Sequence, residues 1–96
     1  MDFQILYTEP ALAVLEEILL YSWSKFPEAS ERFGAALLNY VEMLRTFPYI
    51  GSPVAGEAEV RQLVHTPTLV YYRVVKERGL VEVLHFWHAA RIPPGM

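Results

Sequence analysis

The sequence predicts an α+β domain: a helical hairpin packed on one face of a mostly antiparallel four-stranded sheet, in the order β-α-α-β-β-β. Three observations predict it. Residues 11–45 carry apolar side chains at helical spacing, in two runs parted by Pro27. Residues 59–88 are rich in β-branched and aromatic residues and are broken at Glu77-Arg78-Gly79. A short β-rich run, residues 3–7, precedes the helices. At 96 residues the chain is expected to form one domain, 1–96. Its 53% hydrophobic residues against 20% charged suit a packed core rather than disorder.

Each element has a local reason. Phe-Gln-Ile-Leu-Tyr at 3–7 reads as a strand. Thr8 then offers a helix N-cap, and Pro10 is tolerated within a first turn. Ala11, Val14, Leu15, Ile18, Tyr21 and Ser22 share one helical face, with Leu19 and Phe26 at its margin. Glu16, Glu17 and Ser24 share the other. Pro27 ends this helix, because the residue before a proline resists the helical region. A second helix is predicted from about Glu28 to Arg45. Its stripe is Phe33, Ala36, Leu37, Tyr40, Val41 and Leu44, and Phe33 and Leu37 are expected to be buried against the sheet. Helices joined so closely form an antiparallel hairpin.

Pro48, Gly51, Pro53 and Gly56 mark a loop. Strands are predicted at 59–65, 69–76 and 80–88, the last two joined by a tight turn in which Gly79 supplies the positive φ. The tail Ile92-Pro93-Pro94-Gly95-Met96 cannot continue a sheet.

Composition excludes several function classes. The chain has no cysteine, which removes disulfides, thiolate metal sites and cysteine nucleophiles. No Gly-x-Ser-x-Gly elbow and no glycine-rich loop ending in Lys-Ser/Thr is present. The net charge of -3 argues against gripping nucleic acid chiefly through phosphates. The halves differ: residues 1–50 carry -4 and residues 51–96 carry +1. No apolar run approaches a membrane span, and the chain opens with Met1-Asp2 rather than a basic leader, so a cytoplasmic location is expected. The mean hydropathy of +0.20 is high for so small a domain and points to apolar surface kept for a partner.

Five segments, in order along the chain, resemble a known family. They are Thr8-Glu9-Pro10-Ala11, Phe47-Pro48-Tyr49-Ile50-Gly51, Val60-Arg61-Gln62-Leu63, Val70-Tyr71-Tyr72-Arg73-Val74 and the final Val83-Leu84-His85-Phe86-Trp87-His88-Ala89-Ala90-Arg91. Together they resemble the RelE/ParE superfamily of bacterial toxins from type II toxin–antitoxin modules, which includes plasmid stabilisation proteins. The resemblance implies one of two activities. RelE-like members cleave messenger RNA on the ribosome; ParE-like members inhibit DNA gyrase. Both are silenced by an antitoxin whose C-terminal segment wraps the toxin, and no cofactor is implied. A third outcome is a non-toxic relative that keeps only the antitoxin interface.

The residues favour the ParE-like branch. RNA cleavage needs a general base, a general acid and cations around the phosphate. This chain is acidic, has only Lys25 and Lys76 as lysines, and carries Leu69 where RelE-like enzymes place an arginine. A ribonuclease reading would gather Arg61, Arg73, His88 and Arg91 around the scissile phosphate. A binding reading would use Arg61, Arg73, Trp87 and Arg91 as anchors on the target. Arg61 has a plainer alternative, a rim salt bridge to Glu57 or Glu59.

Leu12, Leu20 and Trp23 fall off the core stripe of the first helix and are candidates for an antitoxin groove. No metal site is expected. Three residues apart on a strand, His85 and His88 face opposite ways, and strict alternation puts Glu82 on the face of His88. The same alternation splits Tyr71 from Tyr72 and Phe86 from Trp87, one of each pair under the helices.

Overall fold

Two adjacent helices cover one face of a five-stranded sheet in the computed structural model, which describes residues 2–25 and 27–88. The elements are β1 (Gln4–Tyr7), α1 (Glu9–Lys25), α2 (Pro27–Glu42), β2 (Ser52–Pro53), β3 (Val60–His65), β4 (Thr68–Val75) and β5 (Leu80–His88). A 3-10 turn, Met43–Arg45, extends α2. The sheet order is β1-β5-β4-β3-β2; β1 runs parallel to β5 and every other pairing is antiparallel. The fifth strand corrects the expected four. Ser52 and Pro53 pair with Gln62 and Arg61, and a proline is tolerated there because the strand lies at the sheet edge.

The core lies between the hairpin and the sheet. Ala11, Leu15 and Ile18 from α1 and Leu37 and Val41 from α2 meet Leu63, Val70, Tyr72, Val81, Val83 and Phe86. Leu37 is fully buried, as its place in the stripe predicts. Phe33 is only half-buried, a correction that follows from its position near the start of α2, where its ring edges onto His88 at 5.6 Å and lies 6.4 Å from the His65 ring. The turn into β5 has the expected backbone, with Gly79 at φ 58°.

Thr8 joins the first strand to the first helix. Its hydroxyl donates to the Val83 carbonyl at 2.9 Å and accepts from the Ala11 N–H at 3.4 Å. The Thr8 carbonyl accepts from the Leu12 N–H at 2.9 Å. Beside it, β5 carries a bulge: Tyr72 pairs with Val83 and Tyr71 with His85, leaving Leu84 as an extra residue.

Candidate functional site

The bulge decides which β5 residues share a face. Val81 and Val83 are buried beneath the helices, and after Leu84 the buried positions become Phe86 and His88. Glu82, His85 and Trp87 therefore lie together on the open face. This corrects the expectation that Glu82 shares a face with His88, since that expectation assumed unbroken alternation. His85 and His88 do oppose each other: His85 stands against Tyr71 at 6.1 Å between ring centroids, while His88 is enclosed on the helix side. Tyr72 and Phe86 are fully buried, and Tyr71 and Trp87 stay half-exposed on the open face, as predicted.

Arg61 and Arg73 are committed to intramolecular partners. Arg61 donates through Nη1 to the Gly51 carbonyl at 2.6 Å and the Tyr49 carbonyl at 3.2 Å, and its guanidinium lies 5.1 Å from the Tyr49 ring centroid. It forms no ion pair with Glu57 or Glu59 among the described residues. Instead it fastens the loop after α2 to β3. Arg73, on the open face, pairs with Glu82 across the β4–β5 ladder. Both arginines line a cleft of about 400 Å³ together with Tyr49 and Lys76, against the carboxylates Glu59 and Glu77.

His88 stands apart from that cleft. Its Nδ1 is 2.9 Å from the Thr68 hydroxyl, and Phe33 covers it from α2. Arg91 lies outside the described residues. Of the candidates, then, Arg61 and Arg73 share a cleft, Arg73 and Trp87 share a sheet face, and His88 belongs to neither.

The loop fastened by Arg61 presents a surface not singled out in the sequence. Phe47, Tyr49 and Ile50 are each at least half-exposed, at 58%, 50% and 50%. The signal was present as three large apolar residues among Pro48, Gly51 and Pro53. Beneath them the loop is tied to the core, where Tyr72 Oη accepts from the Gly51 N–H at 2.9 Å. Burial raises the Tyr72 phenol above its usual 10.0, the Gly51 hydrogen bond and Arg61 opposing it in part.

On the helical side, Leu12, Leu20 and Trp23 are exposed at 48%, 61% and 58%. They line a groove of about 780 Å³ between α1 and α2, with Leu15, Leu19 and Leu38 lower down and Gly34 packed closely against Leu19. Glu16 and Glu31 stand on its walls.

Residues 5–93 match the family described as the ParE toxin of the type II toxin–antitoxin system, parDE. The chain belongs to the ParE toxin family. Among curated proteins, none is significantly similar to it in sequence. Two solved structures resemble the toxin in fold. The chromosomal ParDE system of P. aeruginosa superposes with a TM-score of 0.77 at 20% identity, covering 91% of this chain and 96% of that one. The toxin–antitoxin complex RelBE2 of Mycobacterium tuberculosis superposes with a TM-score of 0.70 at 22% identity, covering 92% and 99%. Among the described residues of the toxin, no helix is long and apolar enough to cross a membrane.

Proposed function

We propose that this toxin acts in the cytoplasm by binding a protein target, DNA gyrase, without chemistry of its own, and that a cognate antitoxin silences it through the α1–α2 groove. The carrying observation is the enclosure of His88. A general acid must reach the leaving oxygen. His88 is instead buried on the helix side, hydrogen-bonded to Thr68 and covered by Phe33, away from the cleft that holds Arg61 and Arg73. Those two arginines are held by loop carbonyls and by Glu82, so two of the cations that a scissile phosphate would call on are already engaged.

A binding mode asks for less. It needs a few well-held arginine and aromatic anchors on a rigid surface. Arg73 and Trp87 on the open face, and the Arg61-fastened loop that shares the cleft with Arg73, supply such anchors, and Arg91 is proposed to join them. The antitoxin part of the proposal rests on Leu12, Leu20 and Trp23, three large apolar side chains left uncovered along one groove. The solved relatives named above are toxin–antitoxin assemblies, which is consistent with such a partner.

The test pairs two assays on the purified chain. Supercoiling by gyrase should fall with added toxin, and message in a ribosome-containing translation extract should stay intact. Cleaved message with unaffected supercoiling would promote the ribonuclease alternative, with ribosome and mRNA as partners.

A further inference from the structure

The groove between α1 and α2 is apolar along its floor but one-signed along its walls. Glu16 on α1 and Glu31 on α2 are among its lining residues, and no lysine or arginine is among the described residues that line it. The two helices together hold six glutamates against Lys25 and Arg32, so the field over the hairpin is negative. The two wall carboxylates come from different helices, which pack closely: a Cβ at Gly34 of α2 would lie 3.0 Å from Leu19 Cδ2 of α1. Glu16 and Glu31 therefore flank the groove from its two walls.

A helix lying in the groove meets both only if each flank of its apolar stripe carries a partner. We infer that the groove receives an amphipathic helical segment of the antitoxin bearing one basic residue on each flank of its apolar stripe, opposite Glu16 and Glu31. The identity of that segment as the antitoxin's rests on the function proposed above; the charge preference rests on the groove alone. Leu12, Leu20 and Trp23 would accept any apolar stripe. Glu16 and Glu31 select among stripes, because an acid-flanked helix would set like charges together on both walls.

The experiment uses the full chain and two synthetic amphipathic helical peptides, identical except for lysine or glutamate at the two flanking positions. Fluorescence anisotropy of the labelled peptides reads affinity. The lysine peptide should bind about tenfold more tightly at low salt. That advantage should shrink near about 0.5 M salt, where the screening length falls to ~4 Å. Glu16→Lys with Glu31→Lys should reverse the preference, and Glu16→Gln with Glu31→Gln should narrow it. Glu57→Lys, at an exposed acid off the groove, should leave it unchanged. Equal binding of the two peptides, binding of neither, or a preference that survives both double variants would overturn the inference. A chain that discriminates the peptides yet leaves gyrase, message and growth untouched would retire the toxin mechanism while leaving the groove's charge preference standing. Gyrase inhibition without discrimination would do the reverse.

Discussion

Gly51→Ala probes the joint between the post-helical loop and the core. An alanine Cβ at this position would lie 2.6 Å from Tyr72 Oη, 2.9 Å from Tyr72 Cε1 and 2.7 Å from the Gln62 carbonyl oxygen. Neither neighbour can yield easily. Tyr72 is fully buried among core side chains, and Gln62 belongs to the ladder between β2 and β3. The loop must therefore lift. Overpacking of this kind costs about 1–3 kcal/mol. Lifting also breaks the 2.9 Å hydrogen bond from the Gly51 N–H to Tyr72 Oη, which adds about 0.5–1.5 kcal/mol. The expected loss is about 2–4 kcal/mol. At ~4–8 °C per kcal/mol for a domain of this size, the thermal midpoint should fall by roughly 10–25 °C. Circular dichroism melts and urea titrations read the change. Tyr72→Phe, which removes only the hydroxyl, should cost about 1–3 kcal/mol by orphaning a buried N–H. The double variant should be less than additive, since one hydrogen bond is lost in both single variants. It should still melt below Tyr72→Phe alone, because Cε1 and the Gln62 carbonyl remain in the way. A Gly51→Ala variant that melts within about 3 °C of the parent, or a double variant equal to Tyr72→Phe, would refute the crowding argument.

Thr8→Ala removes both the N-cap and the bond to Val83 and should cost about 1–2 kcal/mol, read by urea midpoint. Phe33→Ala should cost about 2 kcal/mol, below the range for a fully buried ring, and an unchanged midpoint would remove Phe33 from the α2–sheet contact. Leu20→Glu and Trp23→Glu should weaken antitoxin binding in a pull-down while leaving the melt unaltered, since both side chains are exposed; undiminished capture would exclude the groove. Tyr7 and Tyr72 are both held above the ordinary phenol value of 10.0, chiefly by burial, with the Glu42 carboxylate adding to the effect at Tyr7. The native state thus keeps these protons to higher pH than the unfolded chain. Their contribution is intact below pH 10.0 and is lost as pH climbs through the raised native values, so urea midpoints should drop in strong base, and Tyr72→Phe should flatten that drop.

Most of this architecture was legible because periodicity is a long-range signal. Ala11, Leu15 and Ile18, or Leu37, Val41 and Leu44, repeat over enough turns to locate both a helix and its inward face. The groove was legible for the complementary reason: Leu12, Leu20 and Trp23 are large apolar residues that break the stripe. What escaped was set by single residues or by distant contacts. A two-residue edge strand at Ser52–Pro53 has no period to detect, and its proline reads as loop. The face of Glu82 was hidden because one extra residue, Leu84, inverts alternation, and that residue is recognisable only from its pairing partners. Arg61 offered carboxylates two and four positions away as partners. It took carbonyls from the loop at Tyr49 and Gly51, ten or more residues distant in sequence, which no local pattern announces.

The Leu84 bulge ties two decisions of the chain to each other. A strand with unbroken alternation could slide by one position and still pair, exchanging its two faces. Here such a slip would exchange Phe86 for Trp87 in the core, and it would also withdraw the Val83 carbonyl that Thr8 grips as α1 begins. The phase of β5 and the starting point of the first helix are therefore keyed to one another across 75 residues of sequence. An insertion or deletion within β5 would be felt at once at the opposite end of the chain, where the threonine that caps α1 would lose its hold on the sheet.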